Sequence, residues 1–439
     1  MSKSSFAFVS HHPLCHLAQG VVVGLAAATV GFGQAAAGSK PAAPEQGVTL
    51  VGAIAAAGVV NPKTFIDYFL PTPLDGPLSS TAWGAPNVLP RDPQNGLEDP
   101  SIKQWCYWDG QIIKGPDGRF HMFASRWDQA KGHGGWPSSV AIHAVSEKVT
   151  GPYVDKGMTW PDNLGGKGHN VTALALPDGR YAAIVSETRP TADVFVAKSL
   201  DGPWEQLGSI KVDQPNWRPS NVSIMVRPDG DFEIVPRSGQ ILISKAADGI
   251  LGPYKVMGPS IYPTVDQLPL RNLEDPVVWF SGGLYHIVVN GWSDRKAYHL
   301  TSKDGITNWT FRGLAYDPTQ DFVHYPDGTV NHWFKMERPG VLIENGHVTA
   351  FTLASLDVEK NLELGNDIHG SKVVVIPFDG AALDRDLENA PTPPPVAVPF
   401  HPGGTGGRGG RRGGQPPATA PTPNPAAAPS TATAAQPAP

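Results

Sequence analysis

Acidic and polar residues recur in five short segments of the sequence. These segments span residues 98–102, 168–171, 218–222, 274–278 and 337–341. Hydrolysis of a glycosidic bond needs two carboxyl groups beside that bond, one as acid and one as base or nucleophile. A third charge commonly adjusts the pKa of the acid. Asp99, Asp275 and Glu337 in these segments could supply the three groups.

Two of the segments share the triplet Glu-Asp-Pro, at residues 98–100 and 274–276. An Asp-Pro pair alone is more typical of the start of a strand or turn than of a site. The positions favour the functional interpretation, because other segments carry polar rather than apolar residues there, such as His169 and Asn170. The proline also fixes the backbone and removes a hydrogen-bond donor, which can hold a side chain in one direction.

The five segments occupy equivalent places in a sequence repeat. Each is followed by a tight turn and an aromatic or β-branched strand, as in Pro116-Asp-Gly-Arg-Phe120 and Pro177-Asp-Gly-Arg-Tyr181. The turn glycines lie at positions 118, 179, 230, 283 and 346. Asp-Gly, Gly-Gly and Asn-Gly pairs supply the positive φ that a β-hairpin turn requires. A second marker, Gly-Pro followed by Tyr or Trp, recurs in the same order at residues 151–153, 202–204 and 252–254.

The spacing of 51 to 63 residues between turn glycines suits a unit of four strands and their loops. The sequence therefore predicts an all-β protein, a five-bladed β-propeller of four-stranded antiparallel sheets. In a propeller the innermost strands of all blades begin around one end of a central channel. We expect the following residues to meet there: Asp99, His169, Asn170, Arg218, Asp275, Glu337 and Arg338.

Over residues 97–380 the Asp-Pro before the first strand, the Gly-aromatic hairpins and the later acidic residues resemble the five-bladed glycosidases of glycoside hydrolase families 43 and 117. The resemblance implies that Asp99 is the general base, that Asp275 tunes a pKa and orients the sugar, and that Glu337 is the general acid. It also implies inversion at the anomeric carbon. The sequence departs from family 43 at His169-Asn170 and from family 117 at Met336, and Glu274 is the alternative to Glu337 as acid.

Further residues are candidates for binding the sugar. His169, Asn170 and Glu274 belong to the segments above, and Trp136 lies in a glycine-rich loop where it could stack on a sugar ring. Arg218 and Arg338, with Arg271, could grip sugar hydroxyls or an anionic substituent. An ion pair with the acidic residues is the alternative for these arginines.

No cofactor is expected from the motifs, since the sequence has no phosphate loop, dinucleotide fingerprint or zinc-like spacing of Cys and His. The resemblance implies that a calcium or similar divalent ion could lie in the channel, with His369 as its candidate ligand. A formal net charge of −6 gives no basic footprint for nucleic acid, and a carbohydrate suits a mildly acidic protein.

The ends of the chain differ from its middle. Residues 1–38 carry Lys3, an apolar stretch over 21–32 and small residues at 35–38, which predicts a cleaved export signal and no stable membrane anchor. Residues 39–95 form an N-terminal extension that could wrap the propeller, and the part around residues 49–55 could complete its last sheet. The propeller is predicted over 96–385, and 386–439 is predicted as a disordered tail rich in Pro, Gly and Ala.

The sequence thus favours an exported, exo-acting, inverting glycosidase for a plant or algal oligo- or polysaccharide. A lectin-like propeller that binds sugar without turnover is the alternative. A scaffold propeller that binds proteins and a retaining, fructosidase-like enzyme are two further interpretations.

Overall fold

The computed structural model describes residues 63–80, 88–217, 220–270 and 272–390. The predicted export signal, the proposed closing strand at residues 49–55 and the chain from 391 onward lie outside the described residues. Arg218 and Arg271 also lie outside them.

The described chain forms a five-bladed β-propeller of antiparallel sheets, as predicted. Blade one contains β1 (Trp105–Lys114), β2 (Phe120–Asp128), β3 (Val140–Ser146) and β4 (Val154–Met158). Blade two contains β5 (His169–Ala175), β6 (Tyr181–Glu187), β7 (Asp193–Ala197) and β8 (Glu205–Ser209). Blade three contains β9 (Ser223–Val226), β10 (Phe232–Val235), β11 (Leu242–Ser244) and β12 (Lys255–Val256).

Blade four contains β13 (Leu273–Ser281), β14 (Leu284–Gly291), β15 (Lys296–Ser302) and β16 (Thr310–Tyr316). Blade five contains β17 (Lys335–Glu344), β18 (His347–Leu356) and β19 (Ser371–Pro377), so its described sheet has three strands rather than four. The first strand of each blade contacts the first strands of the blades beside it, and β17 contacts β1, which closes the circle.

Apolar side chains fill the space between neighbouring blades. Phe123 and Phe195, for example, are buried between blades one and two, and Trp279 and Phe351 between blades four and five. The period-2 alternation of a strand presents one set of side chains to each neighbouring blade. Because both faces of every sheet are covered, burial of apolar surface stabilises the ring as a whole rather than any blade alone.

Residues just before blade one pair with the last strand of blade five and so strengthen the closure of the ring. The backbone of Leu97 exchanges two hydrogen bonds with Val373 at the outer edge of β19, with N···O distances of 2.9 and 3.0 Å. The side chain of Asn95 donates to the Val375 carbonyl at 2.7 Å and accepts from the Val375 N–H at 3.1 Å. This segment therefore continues the last sheet from the N-terminal side of blade one.

Two short helices lie near the ends of the described chain. A short 3-10 helix, Phe65–Tyr68, lies in the extension, and its Phe65 packs in the core between blades four and five. Helix α1 (Gly380–Glu388) begins before residue 385, the predicted end of the propeller, and continues past it. The α1 residue Asp384 accepts a hydrogen bond from the Ser281 hydroxyl and holds the helix against blade four. Among the described helices, none is long and apolar enough to span a bilayer.

The closing contact of Asn95 gives a test of ring closure. Substitution Asn95→Ala leaves the buried N–H and C=O of Val375 without this partner, so we expect the free energy of unfolding to fall by about 2 kcal/mol. Urea denaturation measures the change. The matched control, Asn389→Ala at the exposed end of α1, should lose less than about 0.5 kcal/mol. Equal losses in the two variants would contradict this role of Asn95.

Candidate active site

Each innermost strand, or the segment just before it, carries one residue that has a left-handed backbone conformation and faces the channel. These residues are Asp109 (φ 67°), Asn170 (φ 55°), Asn221 (φ 49°), Asp275 (φ 51°) and Arg338 (φ 51°). Each lies eight or nine residues before the turn glycine of its blade. Asn and Asp tolerate positive φ better than other non-glycine residues. The repeat thus sets five polar side chains around one axis, and the strand pairing shifts register beside Asp109, Asp275 and Arg338.

A cavity of about 220 Å³ opens at the end of the channel where the innermost strands begin. Its lining is polar and aromatic. It comprises Trp108, His133, Trp136, His169, Asn170, Glu187, Ser220, Asn221, Arg237, Glu274, Asp275, Trp292, Glu337 and Lys360. All five blades contribute, so the fold gathers residues as far apart in the sequence as Trp108 and Lys360.

Three carboxyl groups from blades four and five meet in this cavity. Glu274, Asp275 and Glu337 have oxygen atoms within 4.8 Å of one another, and all three are buried. Each is paired with a cation: Arg237 Nη2 lies 3.2 Å from Glu274, and Arg338 Nη1 lies 3.6 Å from Asp275. Such a group could hold a metal ion, but its charges are already balanced by side chains of the protein, and we assign no metal to it.

Glu337 is paired with two lysines. Its carboxylate lies 2.8 Å from Lys335 Nζ and 2.5 Å from Lys360 Nζ. Burial alone would lower the pKa of Lys360, but the charges of Glu337, Asp275 and Glu274 raise it above its ordinary value. Lys360 is therefore a cation at neutral pH, and it fixes Glu337 as its counter-ion.

The carboxyl group of Glu274 has an unusual affinity for a proton. Burial, followed by the negative charges of Asp275 and Glu337, raises the pKa of Glu274 to about 7, against smaller opposing effects of Lys360 and Arg237. Burial also raises the pKa of Asp275, which Arg338 opposes. Glu274 therefore carries a proton over part of the neutral range while it faces the cavity, which is the property that a general acid requires.

Asp99 does not lie on an innermost strand, and the prediction that it meets the other acids was wrong. It lies in the loop before β1 and outside the lining of the cavity. Its oxygens accept hydrogen bonds from the backbone N–H groups of Ser101, Lys103, Gln104 and Trp105. Burial would raise the pKa of Asp99, but these hydrogen bonds outweigh it and hold the pKa below the usual value. Such a carboxylate stabilises its own loop.

Asp109 occupies the place that the sequence assigned to Asp99. Its Oδ2 accepts from the Val171 N–H at 3.0 Å and from the Ser125 hydroxyl, and its Oδ1 lies 3.4 Å from Arg338 Nε. It is 1% exposed and lies below the cavity rather than in its lining. Counting back from the turn glycine, rather than matching Glu-Asp-Pro, would have found it.

Other residues of the cavity were not expected from the sequence. Glu187, at the end of β6, accepts a hydrogen bond from the Asn221 N–H at 3.3 Å and is only partly buried. His133 is buried, and its Nδ1 has no hydrogen-bond partner among the described residues. No repeat marker points to either position, because neither lies on an innermost strand.

The predicted binding residues divide into two groups. His169, Asn170, Glu274 and Trp136 all line the cavity, and the Trp136 side chain is 37% exposed with its ring 5.0 Å from that of His169. Burial lowers the pKa of His169 to about 4, so its imidazole is neutral near pH 7.

Arg338 belongs to the second group. It is 6% exposed and does not line the cavity, so its ion pairs with Asp109 and Asp275 fit the alternative given for it. His369 Nδ1 contacts Asp357 Oδ2 at 2.8 Å, and His369 lies outside the cavity lining. A divalent ion at His369 stays a prediction.

No protein-family model and no curated protein matches the chain. Solved structures match in fold. A family 43 β-1,3-galactosidase is 13% identical over 69% of this chain and 60% of its own length, with a TM-score of 0.43. A family 117 glycoside hydrolase from the marine bacterium Zobellia galactanivorans is 14% identical over 65% of this chain and 88% of its own, with a TM-score of 0.45.

A third match is a family 43 β-xylosidase/α-arabinofuranosidase from a compost metagenome, solved with xylotriose. It is 12% identical over 68% of this chain and 95% of its own length, with a TM-score of 0.44. The chain is similar to these structures, and the similarity assigns no residue a role.

The position of Asp99 predicts a pH-dependent contribution to stability. Because its folded pKa lies below the unfolded value, its contribution is present above the unfolded pKa of about 4 and is lost as pH falls through the folded pKa. We expect Asp99→Asn to lower the free energy of unfolding by about 1–3 kcal/mol at pH 7, with a smaller loss at pH 3. Urea denaturation at both pH values measures it. A loss that stays constant, or that matches the exposed Asp162→Asn control, would contradict the assignment.

Proposed function

We propose that the protein is a glycoside hydrolase in which Glu274 donates a proton to the leaving oxygen. The observation that carries the proposal is the convergence of Glu274, Asp275 and Glu337 in one cavity, with Glu274 held near the point of half-protonation at pH 7. A carboxylic acid tuned in this way by burial and by neighbouring carboxylates is the arrangement that glycoside hydrolysis uses. We therefore assign the role of acid to Glu274, the alternative in the sequence, rather than to Glu337.

Glu337 and Asp275 act on Glu274 through their charges in this proposal. Glu337 is ion-paired with both Lys335 and Lys360. Asp275 is 3% exposed and also accepts a hydrogen bond from Asn221. The negative charges of Asp275 and Glu337 raise the pKa of Glu274 and so favour retention of its proton.

Glu187 is proposed as the base that activates water. Of the carboxylates in the cavity lining it is the one that lies outside blades four and five, and it is partly exposed. Blade three, with Asn221, separates it from Glu274. We propose that a sugar and a water molecule fit between these two groups, as an inverting mechanism requires.

The aromatic part of the lining supports a sugar as substrate. Trp136 and Trp292 are 37% and 46% exposed at the cavity, although large apolar side chains are usually buried. Exposed tryptophan rings beside polar groups are suited to the apolar faces of a sugar, with the hydroxyl groups paired by the polar side chains. We propose a plant or algal oligo- or polysaccharide as substrate and, from the features of residues 1–38, an exported protein.

Glu274→Gln tests the assignment of the acid. Loss of a general acid should lower kcat/KM about 100- to 10,000-fold for natural oligosaccharides. Glycosides with a dinitrophenyl leaving group need little protonation of the leaving oxygen, so kcat/KM for them should fall far less. Assays on galactosyl, arabinosyl and xylosyl substrates of both kinds measure the difference, with the exposed Glu205→Gln as control. Equal losses for both leaving groups would remove Glu274 from this role. Sugar binding without any turnover by the unmodified protein would favour the lectin-like alternative.

Glu187→Gln tests the base. Activation of water is needed whatever the leaving group, so both kinds of substrate should lose activity about 100-fold or more. Proton NMR of the first product should show the anomer opposite to that of the substrate. Release of the same anomer would rule out inversion and, with it, this role for Glu187.

Arg237→Met tests the charge environment of Glu274. The guanidinium of Arg237 favours the ionised carboxylate, so its removal should raise the pKa of Glu274. Because the acid must be protonated, activity falls as pH rises through that pKa, and the alkaline limb of the pH–activity profile should move to higher pH. An unchanged limb would show that Glu274 does not control it.

A further inference from the structure

Arg338 is buried near the axis of the propeller, outside the lining of the candidate active site. It lies on β17 of blade five, with Nε 3.4 Å from Asp109 of blade one and Nη1 3.6 Å from Asp275 of blade four. A left-handed backbone at a long, charged side chain is uncommon, and here it aims the guanidinium at the channel. Arg338 thus joins its own blade to both neighbours, including the pair where the ring closes.

Three cavities follow one another along the innermost strands, and Arg338 lies at the middle one. The upper cavity, of about 220 Å³, is the candidate active site. The middle cavity, of about 20 Å³, is lined by the next residues of all five strands, with Asp109 and Arg338 among them. The lower cavity, of about 640 Å³, is lined by the strand ends and is largely apolar. Arg338 therefore supplies positive charge at the floor of the active site.

We propose that Arg338 is a positioning residue that serves as the axial cation of the propeller and keeps the Asp275 carboxylate ionised beside Glu274. The inference rests on the proposed function, since Asp275 affects activity through the influence of its charge on the pKa of the acid, Glu274. A buried carboxylate without a counter-charge takes up a proton, because desolvation disfavours its charged form. Arginine suits this place because its guanidinium does not lose its proton in proteins and can serve two carboxylates at once.

Several charged or titratable groups face Asp275 from the elements packed around it. They are Glu274 on β13, Arg338 and Glu337 on β17, Lys360 after β18, and the phenols of Tyr262 and Tyr316. Among the described residues, Arg338 is the cation within ion-pair distance of Asp275. Asn221 adds an uncharged hydrogen bond to the same carboxylate.

The two arginines of the site are therefore expected to act on Glu274 with opposite signs. Arg237 contacts Glu274 directly and favours loss of its proton. Arg338 keeps Asp275 charged, and that charge favours retention of the proton on Glu274. Without Arg338, Asp275 becomes protonated, its charge is lost, and Glu274 gives up its proton at lower pH.

The test compares pH–activity profiles of Arg338→Met, Arg237→Met, Asp275→Asn and the double variant of Arg338 and Asp275. Arg338→Met should move the alkaline limb to lower pH, by about half a unit or more, whereas Arg237→Met moves it to higher pH. Asp275→Asn should move it downward as well, and adding Arg338→Met should then cause no further shift. An upward shift in Arg338→Met, or shifts that add in the double variant, would overturn the inference.

Two further measurements separate this inference from folding and from the proposed function. Arg338→Lys keeps a positive charge, so its alkaline limb should stay closer to that of the unmodified protein than the limb of Arg338→Met does. The reverse order would count against a role in charge.

Urea denaturation needs no activity. The loss in free energy of unfolding caused by Arg338→Met should grow as pH rises from 4 to 8. Without Arg338 the folded pKa of Asp275 rises further, and a carboxyl group with a raised folded pKa makes the protein less stable as pH rises. Asp275→Asn should remove part of that pH dependence. If it removes none, Arg338 does not act through Asp275, whether or not the protein hydrolyses sugars.

Discussion

The convergence of five innermost strands on one axis is the constraint on which the rest of the structure depends. Each strand turns a polar residue of positive φ toward the channel, and the apolar packing between blades holds the five strands at fixed angles. The closure by Leu97 and Asn95 completes the circle. Without it, carboxyl groups from blades two, four and five would have no common cavity.

Charge balance is the second condition, because buried carboxylates are costly unless they are paired. The three carboxyl groups of the cavity differ in how fully they are paired with cations. Glu337 has two lysines, Asp275 has Arg338 and Asn221, and Glu274 has one partly exposed arginine. The least compensated carboxyl group is the one that holds its proton into the neutral range. Specialisation of one acid among three thus follows from how the cations are distributed, since all three are buried in one place.

The fold could be predicted from the sequence because turn chemistry repeats at readable intervals, with glycines 118, 179, 230, 283 and 346 marking five blades. The positions of Asp275 and Glu337 followed from that repeat. Asp99 did not, because Glu-Asp-Pro occurs once in an innermost strand and once in a loop, where backbone N–H groups satisfy the carboxylate. The choice between Glu274 and Glu337 depends on Lys335, Lys360 and Arg237, whose proximity is a property of the folded chain.

The central claim is that a sugar binds where Glu274 and Glu187 face one cavity. A crystal structure of the Glu274→Gln variant soaked with an oligosaccharide that the unmodified protein cleaves tests it most directly. The account predicts that the scissile oxygen lies within hydrogen-bond reach of residue 274, that Glu187 lies across the sugar ring from it, and that Trp136 or Trp292 contacts a sugar face. An oligosaccharide bound elsewhere on the propeller, or bound here with its scissile bond away from residue 274, would contradict it.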